Sequence, residues 1–359
     1  MNYRRTQLLA STSLTNNTTY PLNINVSNPI SRITVIYKAT NGDHVPDGHM
    51  NAGVSKIEIV DGSDVIMSMS GREAVATDFY DRGKPPVNIM TYINDNQGTS
   101  VFNLNFGRWL YDELLALDPR KFKGLQLKVT HNYANCGSSC DASTLQIWAD
   151  VFDEKPANPI GYLMNKTLYS YTSGANGSYE YINLPTDYAM RRLTVFGLYP
   201  QYQPWQVVNE IKLSEDNDKR VPVDDKVSNI LKIVAQTYGM YHESILLHAT
   251  TSDQAFFCTP TYETYFATGD PEDGDTNVGT SRDSYGGDLY VEGEAAGQFN
   301  FLVQGYAPHG AIPVMFGKEA DHSDWYDVQR VGSLVLRLKA GSLGATGTPT
   351  VVTQQLRTY

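Results

Sequence analysis

The sequence predicts an all-β chain made of two tandem sandwiches, and three observations predict it. Residues suited to pleated, half-buried strands are abundant, with 24 Tyr beside many Val and Thr, while 29 Gly and 17 Pro punctuate the whole length. Apolar and polar residues alternate with period two in short runs, as strands with one buried face require. A length of 359 residues exceeds one ordinary sandwich and leaves each of two with its own core.

Taken in order, residues 1–29 are rich in Asn, Thr and Ser and read as an N-terminal arm. The first clear strand follows, with Ile33, Val35 and Tyr37 on one face. Ser70 and Glu73 make an S-x-x-E capping box ahead of a helix over residues 74–80, and Gly83 is placed to end it. A further helix is expected over residues 108–117, stopped by Pro119. Leu125, Leu127 and Val129, then Leu145, Ile147 and Ala149, alternate as the strands of a hairpin. Two prolines in residues 153–159 interrupt the pattern and mark the boundary, giving a first sandwich over 30–155 and a second over 156–359. In the second, Asp224 is positioned to cap a helix through Val227, Ile230, Leu231 and Val234, with Gly239 beyond it.

The two halves repeat their anchors in one order. Arg32-Ile33-Thr34-Val35, Lys56-Ile57-Glu58-Ile59, a helix, Phe102-Asn103-Leu104 and Leu125-Gln126-Leu127-Lys128-Val129 are answered by a second series. That series is Arg192-Leu193-Thr194-Val195, Glu210-Ile211-Lys212-Leu213, a helix, Phe299-Asn300-Phe301 and Leu334-Val335-Leu336-Arg337-Leu338. Ile57 and Phe102 are 45 positions apart, and Ile211 and Phe299 are 88 apart. The excess predicts a long loop over about 240–298, which includes the Gly-, Asp-, Ser- and Thr-rich stretch 268–287.

Charge is unevenly spread. The formal net charge is -11, which argues against a body that grips nucleic acid through clustered cations. Yet no Asp or Glu precedes Asp43 and none follows Asp327, so both ends are net positive. If the ends meet on one face, that face is basic and the opposite one acidic. Without an apolar run long enough to span a bilayer or a secretory leader, the protein is expected to be soluble and made without export. Three cysteines are too few for a disulfide scaffold and fit folding in a reducing cytoplasm.

With its strand at residues 30–37, the stretch Val54-Ser55-Lys56-Ile57-Glu58-Ile59-Val60-Asp61-Gly62-Ser63-Asp64 before a helix, the 125–152 hairpin and their second-half counterparts, the chain resembles a known family. The likeness is to the double jelly-roll major capsid proteins of tailless icosahedral viruses, the lineage of tectiviruses and adenoviruses with related bacteriophage and algal viruses. It implies two tandem eight-stranded jelly rolls with short decorating helices, and a structural, non-enzymatic capsid protein without a cofactor. It implies homotrimers of pseudo-hexameric outline that tile the virion capsid lattice, made in the host cytoplasm and in contact with minor capsid or vertex proteins. The basic ends, with Arg4, Arg5, Arg337 and Arg357, would then face the interior, toward an internal membrane or the genome.

Few constellations suggest chemistry. Cys136 and Cys140, four apart at a hairpin tip, suit a small disulfide in an oxidising medium or free thiols, and no second ligand pair accompanies them for zinc. Asp270, Glu272, Asp273 and Asp275 crowd carboxylates that suit a hard cation such as calcium, but the spacing fails the EF-hand pattern, and an exposed acidic loop is the favoured reading. His242, Glu243 and His248 miss the H-E-x-x-H spacing. The alternative function is a carbohydrate-binding or glycan-cleaving double sandwich, with Tyr199, Tyr202, Trp205, Trp109, Trp148 and Trp325 against sugar faces.

Overall fold

A computed structural model describes the chain except for residues 45–47, 138, 250–253, 268–285, 292–296 and 344–345. The first half contains β1 (Tyr3–Ser13), β2 (Thr18–Asn23), β3 (Ile30–Thr40), β4 (Val54–Asp61) and β5 (Asp64–Met69). Helix α1 (Gly71–Arg82), β6 (Met90–Tyr92), β7 (Gln97–Asn105), β8 (Leu125–His131) and β9 (Ala142–Phe152) follow. One sheet has the order β1-β9-β3-β7, and β2-β8-β4-β5 faces it. The alternation read in the sequence is the reason they face each other. Ile33, Val35 and Tyr37 of β3 and Leu145, Ile147 and Ala149 of β9 turn inward to meet Leu125, Leu127 and Val129 of β8 in one core.

The second half repeats this topology. After β10 (Gly161–Ser170), β11 (Tyr179–Asn183) and β12 (Met190–Phe196) come the short α2 (Pro204–Val207), β13 (Val208–Glu215), β14 (Arg220–Lys226) and α3 (Val227–Thr237). Beyond an insertion, the roll is completed by β20 (Ala311–Met315), β21 (Leu334–Ala340) and β22 (Thr350–Thr358). The sheets run β10-β22-β12-β20 and β11-β21-β13-β14. In each roll, therefore, the first strand lies beside the eighth, then the third and the sixth, and the second beside the seventh, fourth and fifth. Ile33 stands opposite Ala149 and Leu104, and Leu193 stands opposite Thr353 and Val314, so both occupy the third strand at the same register. Pro21, Pro222 and Pro313 lie within strands, but each of those strands is at a sheet edge, where a missing N–H costs no ladder bond.

Four expectations need correction. Residues 1–29 are not an arm: β1 and β2 are the first two strands of the first roll, paired with β9 and β8. The stretch 240–298 is not one loop. It holds β15 (Tyr241–Ala249), β16 (Gln254–Phe257), β17 (Tyr262–Ala267), β18 (Asp288–Val291) and the start of β19 (Gly297–Tyr306), and β15 and β19 form a long antiparallel ladder. Phe299–Phe301 consequently lies in β19 and is not the counterpart of Phe102–Leu104 in β7; that counterpart is β20. Residues 108–117 form no helix, because Tyr111 adopts a left-handed φ of 62° and Asp112 accepts the backbone N–H groups of Arg108 and Leu114. Among the described residues no helix is long and apolar enough to cross a membrane.

Candidate assembly interface

The two rolls join edge to edge. Strand β5 of the first hydrogen-bonds in parallel to β10 of the second with Ser68 opposite Lys166, fusing two sheets into one of eight strands. Beside this seam runs α1. Its start is fixed as the sequence predicts: Glu73 accepts the Ser70 N–H at 2.7 Å, the Ser70 hydroxyl accepts the Glu73 N–H at 3.3 Å, and Gly83 at φ 66° closes the far end. One face of α1 packs on β7 and the other covers the outer face of β10-β22-β12-β20, where Phe79 and Tyr80 share a core with Met164, Phe196, Ala311 and Val352. Glu73 also accepts the hydroxyls of Thr167 and Thr350, each at 2.8 Å.

At the lower end of α1, Asp81 gathers the polar side of the seam. Its carboxylate accepts Arg192 at 2.8 Å, Arg191 at 2.9 Å and the Gln354 amide at 3.1 Å. Burial opposes the charge on Arg192, but Asp81 and Glu319 beside it hold its pKa above the ordinary value. The consequence is visible along the strand: all of β12 is buried, whereas its counterpart β3 alternates between buried and half-exposed residues. The sequence contained the signal, since adjacent arginines opening an otherwise apolar strand require buried partners, but nothing in it pointed to Asp81.

A second contact lies at the end formed by the insertion of the second roll. Here β15 pairs in parallel with β6 of the first roll, within the sheet β17-β19-β15-β6. His49 Nδ1 accepts the Asn51 N–H, so its Nε2 carries the proton shared between Glu243 Oε1 and Thr259 Oγ1, both at 2.8 Å. Glu243 also accepts the Thr259 N–H at 2.7 Å, Asn51 donates to His309 Nε2 at 2.8 Å, and the Tyr92 hydroxyl donates to the Phe257 carbonyl at 2.8 Å. Burial first, then the neighbouring His49 and Arg72, holds the His309 pKa well below its ordinary value. His242, on the same strand as Glu243, points the other way and is exposed, as period-two geometry dictates.

The opposite end carries both termini. Tyr3 lies opposite Phe152, Gly161 opposite Thr358, and the Tyr359 N–H donates to Ile160. Three of the four basic residues singled out in the sequence pair with carboxylates in this half of the chain: Arg4 with Asp153, Arg5 with Asp150 at 2.9 Å, and Arg357 with Asp64. Arg337, within β21, pairs with Asp218 at 3.0 Å. Lys121 and Lys123 are near the same terminal end and make no ion pair with a described residue.

The remaining candidates separate. Cys136 and Cys140 are buried free thiols; Cys136 donates to the Met50 carbonyl and Cys140 to Asn41 Oδ1, and the Cys136 pKa is pushed well up by the neighbouring Cys140 and by burial. Asp270, Glu272, Asp273 and Asp275 lie outside the described residues, and among the described residues no three potential ligands cluster for a metal. The aromatic residues do not form one face. Trp325 is buried among Leu115, Leu163 and Leu356, Trp205 packs edge-on against Tyr262, and the exposed Trp109 lies under the Arg108 guanidinium.

No family model and no curated protein matches the sequence. Solved structures do match. The major capsid protein of bacteriophage PM2 superposes with a TM-score of 0.57 at 9% identity, covering 99% of this chain and 98% of that one. The major capsid protein of STIV gives 0.61 at 8% identity, with 99% and 96% covered, and the PBCV-1 virus capsid gives 0.57 at 11%, with 99% and 93% covered. With two complete rolls in tandem and similarity over nearly the whole of each chain, this protein has the double jelly-roll fold of those viral major capsid proteins.

Proposed function

We propose that the chain is a major capsid protein that trimerises into a pseudo-hexameric tile of an icosahedral virion shell, and that it is structural and not an enzyme. The observation that carries this reading is the duplication itself. Two rolls of one topology are joined through unlike edges, so three chains supply six similar blocks that a threefold ring can close. Full-length similarity to capsid subunits from three viruses supports the same role.

On this reading the partners are other copies of the chain, first in the trimer and then in the lattice, with minor capsid or vertex proteins at its discontinuities. The end that holds both termini faces the interior, where Lys121 and Lys123, which pair with no described carboxylate, are cations available to a membrane or genome. Purified full-length protein tests the proposal. Light scattering after size exclusion should give a trimer mass, and negative-stain images should show a hexagonal outline with threefold symmetry; a monomer at all concentrations up to tens of micromolar refutes it.

A further inference from the structure

We propose that strand β14 and helix α3 of one copy join β1 and the outer face of β1-β9-β3-β7 in the next, repeating between chains the seam that β5 and α1 make within one. This rests on the trimeric reading above and names its contact. Inside the chain, the fifth strand of the first roll, β5, meets the first strand of the second roll, β10, while the helix after β5 covers the outer face of the sheet that β10 begins. The equivalent surfaces at the other two edges are unmet. Among the described residues, β14 and β1 each end a four-stranded sheet, and bare strand edges are templates for pairing. A seam between unlike surfaces always leaves one of each for another copy.

The strand equivalence fixes the register. Glu58 stands opposite Ser68 and Lys212 opposite Asp224 in the matching fourth and fifth strands, so Asp224 occupies the place of Ser68. Ala149 is opposite both Ile33 and Thr6, and Thr353 is opposite both Leu193 and Lys166, so Thr6 occupies the place of Lys166. Because Ser68 faces Lys166 within the chain, Asp224 faces Thr6 across the join.

Surface chemistry agrees with this placement. Beside Thr6 on β1 are Arg5, whose side chain is 59% exposed, and Arg4, 42% exposed; Asp224 is 58% exposed, with Asp225 next to it. The seam thus brings two guanidiniums toward two carboxylates. Phe196 and Val352, buried beneath α1, correspond by register to Ile36 and Trp148, which remain half-buried on the outer face of the first roll. The matching helix α3 exposes Ile233 to 64% and borders an open groove of about 790 Å³ lined by Ile230, Val234, Pro313 and Met315. The apolar spot of Ile36 and Trp148 on the otherwise polar sheet face and the apolar side of α3, each lacking a cover that its counterpart has, fit each other.

Paired cysteines in the full-length chain test the join. Facing residues of neighbouring strands lie about 5 Å apart, within disulfide reach. Under mild oxidation the double variant Thr6→Cys with Asp224→Cys should give covalent dimers and trimers on non-reducing gels, and neither single variant should. Independently, Ile233→Glu and Trp148→Glu should each weaken trimerisation on the order of tenfold or more per seam, with unchanged circular dichroism. If the wild type is trimeric but the double variant fails to cross-link and both Glu variants stay trimeric, this join is wrong while the trimeric reading stands. A monomeric wild type overturns both.

Discussion

Replacing Asp81 by Asn tests whether the two rolls are held by their buried ion pairs. Asn keeps the shape of the side chain but removes the charge and turns one of two acceptor oxygens into an NH2 donor, which faces partners that all donate. Arg191 retains the Gln354 carbonyl oxygen at 2.9 Å and Glu319 at 3.2 Å, so its loss is partial. Arg192 keeps the Thr77 carbonyl at 3.3 Å and the Tyr80 ring but has no other described carboxylate in ion-pair contact, and it is 1% exposed, so most of the penalty of an unpaired buried cation falls there. Removing one partner of a buried pair costs about 3–5 kcal/mol. Asp81→Asn should therefore lower stability by about that amount in urea unfolding, and amide exchange should accelerate first in α1 and β12. The companion change Arg192→Met in the Asp81→Asn background should restore a large part of the loss, because an apolar side chain of similar length removes the orphaned charge. A loss below about 1 kcal/mol, or no recovery in the double variant, would show that the apolar seam around Phe79 carries the junction without the ion pairs.

Three further outcomes follow from local geometry. His309 is neutral in the folded chain down to well below its ordinary pKa while the unfolded chain takes up the proton near pH 6.5, so stability should fall as pH drops below that value, by about 1.4 kcal/mol per unit for this group. His131 and His248, both lowered by burial first, act in the same direction. Asp288, raised to about 6 by burial, opposes them between about pH 6 and 4. His309→Asn tolerates the φ of 52° and should flatten the slope measured by thermal unfolding across pH 5–7; an unchanged slope assigns the effect elsewhere. A Cβ at Gly53 would lie 2.2 Å from Cys136 Sγ and 2.8 Å from a Tyr37 ring carbon, so Gly53→Ala should cost about 1–3 kcal/mol, while Gly124→Ala, with nothing within 4 Å, should stay within about 0.5. Ser70→Ala removes half of the capping box and should lower stability by about 1 kcal/mol, read as an earlier urea midpoint.

Legibility in the sequence followed how much of each signal is local. The capping box at Ser70 and Glu73 and the alternation in β3, β8 and β9 are written within a few residues and reappear in the structure as read. Three of the four repeated anchors fall on equivalent strands for the same reason. The fourth fails because β19 and β20 are both strands, and choosing which one enters the roll depends on pairing with β12 some hundred residues away. The strands β1 and β2 are not legible in the sequence because they are edge strands whose side chains are all half-buried or exposed. Their stability comes from ladder bonds to β9 and β8, which composition does not report. The helix expected over 108–117 was contradicted by Asp112, whose carboxylate competes for backbone N–H groups.

The same distinction between local and distant signals explains the asymmetry of the two third strands. Sequence alternation in Arg192-Leu193-Thr194-Val195 and in Arg32-Ile33-Thr34-Val35 is nearly identical, and by that pattern alone both should keep one wet face. Only β3 does. The polar face of β12 is dry because α1, from a different roll, lies across it, and the buried guanidinium of Arg192 finds its carboxylate partner there because Asp81 arrives with the helix. Arg32 has no such visitor and satisfies itself within its own sheet through Asp150, at 2.7 Å. A duplicated fold thus placed the same residue type at the same register and supplied its partner in two ways, once from the neighbouring roll and once from within the roll. The side chains of β3 that remain half-exposed mark the face where the duplication has not yet found its second surface within the chain.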